Sequence, residues 1–285
     1  MSDYKFAVSA WIWYGNPATN GYDFIDKAGE IGYDGIEIPT FDGNIDEKQI
    51  LDKLSSQKRK IEPVVVGGGS PDMDISSENE KIRENGLNYI KKLVDKASKI
   101  NSFLVCGPIY SAVGKSLYLT AEQRERVIRR TALEIRKASE YATGQGVDLA
   151  LEPLCRYDSY LINTTAEMHH FLDLAESENV GILLDTFHMN IEERSMPEAI
   201  RLAGDRFRHF QVCENDRGVP GKGSLDWKSI AAATEKSGYK GWVSLESFTP
   251  YEQEFSAIMR SWRPLSETQD LFASEGLNYL KKIFV

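Results

Sequence analysis

The strongest constraint in this sequence is an eightfold alternation of short apolar runs with stretches that have the spacing of amphipathic helices. The runs fall at 6–12, 35–38, 61–66, 103–106, 147–151, 180–185, 207–213 and 242–245. Helices are expected near 22–31, 46–57, 77–99, 121–143, 165–176 and 226–237, with a short one from Pro197 and a last one near 268–283. Within 77–99, Ile82, Leu87, Ile90, Leu93, Val94 and Ala97 recur close to the helical period. Thr120 supplies an N-cap for the helix that follows it. Strands alternating with helices at this spacing form parallel βαβ units. Eight such units in 285 residues favour a closed (β/α)8 TIM barrel over an open sheet. No linker or low-complexity block interrupts them, so residues 1–285 are expected to form a single domain. The segment 248–264 is longer than a typical loop and carries Phe248, Tyr251, Phe255 and Trp262. Exposed aromatics in a loop of that length fit a lid or an interface.

Several function classes are disfavoured by bulk properties. No apolar run approaches the roughly 18 residues of a membrane span, and the first fifteen residues lack the basic start and long apolar stretch of a signal peptide. A net charge of -9 argues against nucleic acid or an anionic membrane as the main partner. Cys106, Cys155 and Cys213 form an odd, scattered set, which fits a reducing cytoplasm better than a disulfide framework.

The most informative stretch is 181–190, GILLDTFHMN. Its apolar run reads as a buried parallel strand with Asp185 at the carboxyl end, where α/β barrels carry their chemistry. His188 would lie in the loop beyond. Glu152, Gln211 and Glu246 also fall at expected strand ends, and the four positions are spaced 33, 26 and 35 residues apart, each about one βα repeat. Strands 5 to 8 would therefore converge them on one rim. A single strand-end carboxylate is more often solvated or salt-bridged than a ligand. Four such positions on neighbouring strands, one with a histidine three residues on, reverse that expectation. Mainly carboxylate oxygen donors suit a divalent ion such as Mg²⁺ or Mn²⁺. Such an ion can polarise a sugar carbonyl and stabilise an enediolate.

The segments LEPLCRYDSYLINT from Leu151, LLDTFHMNIEE from Leu183, HFQVCENDRGVPGKGSLDW from His209 and VSLESFT from Val243 resemble the xylose-isomerase-like barrel superfamily. Within it they are most similar to the D-tagatose/D-psicose (allulose) 3-epimerase group of ketose 3-epimerases. The detailed resemblance covers about 147–250, and the N-terminal half agrees in layout and in scattered residues such as Trp13. It implies a metal held by Glu152, Asp185, Gln211 and Glu246: Mn²⁺ or Mg²⁺, with Co²⁺ as an alternative. It implies that Glu152 and Glu246 are the catalytic pair on opposite faces of a ketose. One removes the C3 proton, metal-bound O2 and O3 stabilise a cis-enediolate, and the other glutamate reprotonates the opposite face. By the same resemblance Asp158, His188 and Arg217 contact the substrate, Phe248 and Trp13 wall the sugar, and the protein is a homo-oligomer, dimer or tetramer.

Three positions depart from the family's pattern. Gln211 replaces the usual ligand histidine, as in related barrels of the hydroxypyruvate isomerase type. The formal charge is unchanged, but an amide oxygen is a harder, weaker donor. Asp158 is one methylene shorter than the family's glutamate, and Cys155 stands where asparagine is common. His209, on the same strand face as Gln211 but about 6.6 Å deeper at roughly 3.3 Å per residue, reads as a core histidine rather than a substitute ligand. The departures point to an altered substrate or reaction. The alternatives are an aldose–ketose or hydroxypyruvate-type isomerase, a sugar dehydratase and, less favoured, a non-catalytic sugar-binding barrel.

Outside this constellation, Gly67-Gly68-Gly69-Ser70 follows a strand and reads as a plain turn rather than a phosphate cradle, since it lacks the GxxxxGK[ST] pattern. Lys115 reads as solvated, and His169-His170 as structural.

Overall fold

The computed structural model describes residues 4–16 and 21–284. Outside them lie the start of the N-terminal stretch read above for leader character, part of the loop before the first helix, and the two ends of the expected 1–285 domain. The strands are β1 (Lys5–Ser9), β2 (Gly35–Thr40), β3 (Glu62–Gly67), β4 (Leu104–Gly107), β5 (Asp148–Leu151), β6 (Val180–Asp185), β7 (Phe207–Val212) and β8 (Trp242–Leu245). Each pairs in parallel with its successor, and β8 pairs with β1 to close the barrel in sequence order. The helices are α1 (Phe24–Ile31), α2 (Glu47–Ser55), α3 (Glu80–Lys99), α4 (Ala121–Gly144), α5 (Thr165–Ala175), α6 (Thr186–Glu192), α7 (Met196–Ala203), α8 (Trp227–Lys236), α9 (Gln253–Met259) and α10 (Gln269–Ile283).

The strands read as unbroken apolar runs because both faces are covered. The pleat sends alternate side chains inward, where Ala7, Val64, Val66, Leu104, Cys106 and Leu183 form one buried cluster. Their neighbours Val8, Ile36, Val65, Val105 and Ile182 belong to the larger cluster between sheet and helices. Near the carboxyl ends the inner layer turns polar. Glu37, His209 and Gln211 are all fully buried there.

The register between β6 and β7 shifts at Ile182/Leu183. Gly181 permits it: a Cβ there would lie 2.1 Å from Arg208 Cγ and 2.5 Å from the Arg206 carbonyl oxygen. Helix starts follow local chemistry, as in the reciprocal capping box of Thr120 and Gln123 on α4.

Three differences from the sequence expectation bear on the site. β1 ends at Ser9, whose hydroxyl accepts the Trp11 N–H, and residues Ala10–Ile12 form a 3₁₀ turn. Helix α6 begins directly after β6, so His188 sits in its first turn rather than in a loop. The long C-terminal segment contains α9, whose Phe255 is buried against Trp11 and Phe248. Phe255 is thus not the exposed aromatic expected, and Phe248 is only partly exposed. Tyr251 and Trp262 are exposed.

Candidate active site

Glu152 follows the last residue of β5, Asp185 ends β6, Gln211 lies one residue before the end of β7, and Glu246 follows β8. All four are at most 5% exposed. Asp185 divides its carboxylate between two tasks. Oδ1 caps α6 by accepting the Phe187 N–H at 2.7 Å, and Oδ2 accepts from Arg217 Nη1 at 2.5 Å. The same Arg217 nitrogen donates to Glu246 Oε2 at 2.9 Å.

Arg217 is positioned by an unusual local backbone. Its φ is +67°, a left-handed conformation costly for a side-chain-bearing residue. The turn that imposes it is built around Glu214, a fully buried carboxylate. Glu214 accepts from the Gly221 N–H at 2.8 Å and the Trp227 indole N–H at 2.6 Å, and more distantly from the Asn215 and Leu225 amides. Ser247 Oγ donates to the Arg217 carbonyl at 2.8 Å. The guanidinium lies between the rings of Phe187 and Phe248, at 4.2 and 5.0 Å from their centroids.

His188 Nδ1 accepts the Cys155 backbone N–H at 3.0 Å. Burial is the main cause that lowers the imidazole to about 4, so the ring is neutral at physiological pH, with its proton on Nε2. The 3.2 Å approach of Arg217 Nη2 to His188 Nε2 then brings two N–H groups face to face. It is no hydrogen bond between them. A substrate oxygen can accept from both; the acceptor already nearest His188 Nε2 is Glu152 Oε1, at a long 3.5 Å. The protonated Nε2 also disqualifies His188 as a ligand in this tautomer, although it lies with Glu152 and Asp185 in a group compact enough to hold an ion.

The donor set fits a divalent cation. Gln211 Nε2 donates to Glu37 Oε2 at 3.0 Å and to Glu246 Oε1 at 3.1 Å, while Gln211 Oε1 is buried without a partner. A buried amide oxygen with no donor is costly unless something positive completes it. Glu152, Asp185 and Glu246 are buried carboxylates, and with a neutral amide oxygen they are donors of the hard kind that Mg²⁺ or Mn²⁺ prefers. Desolvation, foremost, and the neighbouring carboxylates push Glu152 well above the usual carboxylate range. Glu246 is pushed up chiefly by burial, against the opposing charge of Arg217.

Glu152, Asp158, His188, Arg217, Glu246 and Phe248 all border one cavity of about 640 Å³. The segment Ile258–Leu265 and the glycine loop after β3 form its other walls. Trp13 does not line it. A 3₁₀ turn advances about 120° per residue, so Trp11 lines the cavity while Trp13 points away and donates its indole N–H to Asp270 at 2.7 Å. Asp158 accepts from Arg260 at 2.9 Å and from the Cys155 thiol at 3.3 Å.

The glycine loop is a close-packing device. A Cβ on Gly69 would lie 2.1 Å from the Ser111 carbonyl oxygen, and the Gly68 and Gly69 amides already bond Tyr89 and Pro108. Lys115, expected in solvent, is partly buried against Asp74 at 2.7 Å and over the Tyr160 ring. His170 bonds Glu125 at 3.0 Å on the surface, away from the cavity.

Sequence reasoning missed Glu37, Glu214, Phe187 and Trp11. The apolar run at 35–38 puts Glu37 near its end, but β2 continues to Thr40, so Glu37 lies inside the strand and is fully buried. Its signal was a charge in the apolar run GIEI, which demands a buried partner. That partner is His209, whose Nε2 meets Glu37 Oε1 at 2.7 Å.

Comparison with known proteins gives the family of the chain. The family model for xylose isomerase-like TIM barrels matches residues 25–281. The chain is 30% identical to a probable ketose 3-epimerase of Synechocystis sp., covering 98% of this chain and 96% of that one. It is 32% identical to D-psicose 3-epimerase of Ruminiclostridium cellulolyticum, over 87% of this chain and 85% of that protein. A crystal structure of D-allulose 3-epimerase from Methylomonas sp. superposes with a TM-score of 0.91 at 29% identity, covering 99% and 98% of the two chains. The chain belongs to the xylose isomerase-like TIM barrel family, in the company of these ketose 3-epimerases.

Proposed function

We propose that this protein is a divalent-metal-dependent ketose 3-epimerase that removes the proton from one face of C3 and returns a proton to the other. The observation that carries the reading is a pair of buried, mutually repelling glutamates, Glu152 and Glu246, bordering the same cavity from β5 and β8. With one carboxyl protonated and the other ionised, the first serves as an acid and the second as a base. In the forward direction one glutamate takes the C3 proton, and the other returns a proton to the opposite face. The net reaction inverts C3 and consumes nothing.

Glu152, Asp185, Gln211 and Glu246 would hold the cation, Mn²⁺ or Mg²⁺, with Co²⁺ as an alternative. When bound it supplies positive charge beside the ketose oxygens as C3 loses its proton. The facing N–H groups of His188 and Arg217 hold a substrate oxygen. Phe248, with Trp11, walls the sugar. Asp158, held by Arg260, borders the substrate rather than reaching into it. A homo-oligomer and a cytoplasmic setting complete the proposal. Exposed Tyr251 and Trp262 give a second copy an apolar surface to cover, and among the described residues no helix is long and apolar enough to cross a membrane.

The test is proton NMR in D₂O of the Mg²⁺-loaded protein with a panel of ketoses. Deuterium at C3 with a new 3-epimer is expected, and loss of that exchange in Glu152→Gln and Glu246→Gln. Deuterium at C1 or C2 with an aldose product would reassign the protein as an isomerase. An unsaturated product would make it a dehydratase. Near-normal turnover in either glutamine variant would sink the two-base scheme.

A further inference from the structure

We infer that Glu37 is a positioning residue that locks the side-chain amide of Gln211 with its oxygen, and never its nitrogen, toward the cation site. This rests on the reading of Gln211 as a metal ligand.

The two ends of a carboxamide have nearly the same shape, so its neighbours decide which end faces where. Both hydrogens of Gln211 Nε2 are used, one on Glu37 Oε2 at 3.0 Å and one on Glu246 Oε1 at 3.1 Å. Turned over, the amide would press its oxygen against two carboxylates and aim its N–H₂ at the cation. The observed orientation replaces two repulsions by two charge-assisted hydrogen bonds.

Glu37 is itself fixed. Its other oxygen lies 2.7 Å from His209 Nε2, and Glu37, His209 and Gln211 are all fully buried. Glu37 comes from β2 and the other two from β7, so the triad reaches across the barrel interior. What remains of the Gln211 amide is Oε1, buried and without a protein partner. An imidazole offers a strong lone pair along its own ring plane, whereas an amide is a weak donor that binds well only when preorganised. Glu37 therefore supplies by orientation part of what Gln211 lacks in basicity.

The test is Mn²⁺ binding to metal-stripped protein, measured by calorimetric titration against a competing chelator, for wild type, Glu37→Gln, Gln211→Ala and the double variant. Loss of a partner that orients a ligand lowers metal affinity by roughly 10- to 100-fold, and that loss is expected for Glu37→Gln. In the Gln211→Ala background the Glu37→Gln penalty should vanish, because Glu37 acts through the amide. A wild-type affinity in Glu37→Gln, or a penalty that persists undiminished without Gln211, would overturn the inference. If Glu37→Gln does not fold, Glu37→Asp keeps the charge, withdraws it by one methylene and enters the same cycle with the same expectation. A wild-type chain that takes up no Mn²⁺ would instead remove the metal reading itself, and the inference with it.

Discussion

Replacing Arg217 by glycine separates backbone strain from charge pairing. Arg217 holds φ = +67°, which glycine adopts freely, so the substitution relieves about 1 kcal/mol. It also removes the guanidinium that bridges Asp185 and Glu246, which are 1% and 4% exposed. Breaking a buried ion pair from one side costs about 3–5 kcal/mol. Losing the stacking on Phe187 and Phe248 adds about 1 kcal/mol. The net destabilisation of metal-free protein is thus about 3–5 kcal/mol. At about 2 °C per kcal/mol for a chain of this size, Tm should fall by about 6–10 °C. Saturating Mn²⁺ gives the two carboxylates another positive partner. The charge contribution then drops out, and strain relief nearly cancels the lost stacking. Under Mn²⁺ the variant should melt within about 2 °C of wild type. Thermal unfolding of both proteins, followed by circular dichroism in EDTA and in Mn²⁺, reads all four values. An equal drop under both conditions would refute the reasoning, because arginine would then stabilise the fold by something other than pairing those carboxylates.

Three further outcomes are expected. Gln211→His should retain metal binding and raise affinity for Co²⁺ relative to Mg²⁺, because imidazole is the softer donor; an unchanged ratio in competitive titration would remove residue 211 from the ligand set. Burial, and after it the Asp158 carboxylate, pushes the Cys155 thiol up to about 12, and Cys106 and Cys213 are raised as well. A raised thiol pKa favours the neutral form, so at pH 8.5 the thiolate of Cys155 is roughly a thousandfold scarcer than that of a free cysteine. Iodoacetamide should therefore label these cysteines only as the protein unfolds; prompt modification of the folded chain would contradict it. Gly181→Ala should cost about 1–3 kcal/mol through overpacking against Arg208 and the Arg206 carbonyl, seen as a lower Tm; a wild-type Tm would show that the β6–β7 shift can adapt.

The barrel was legible because its signal is local and repeated. Val180–Asp185 and Trp242–Leu245 carry their apolar runs, and hence their boundaries, in adjacent residues. The rim was legible for the same reason, since strand ends at one-repeat spacing share a face. Helices α6 and α9 were not, being only seven residues each. The cap of α6 is Asp185, a residue already assigned to the end of a strand. Trp13 was misplaced because one 3₁₀ turn, which no periodicity announces, exchanges it with Trp11. Glu37 was missed because its partners lie 172 and 174 residues away. Only closure of the barrel brings them together. Glu214 works through four backbone or indole N–H groups, donors that leave no trace in a residue pattern.

The division of the Asp185 carboxylate gives the protein a built-in spectroscopic reporter. Oδ1 accepts the Phe187 amide while Oδ2 faces the site, so charge drawn toward one oxygen is withdrawn from the other. The Phe187 amide resonance should therefore respond to whatever occupies the rim, even when no protein atom moves appreciably. Because the same helical turn carries His188, an Asp185 variant perturbs ligand and donor together. A label on Phe187 would follow occupancy without altering either.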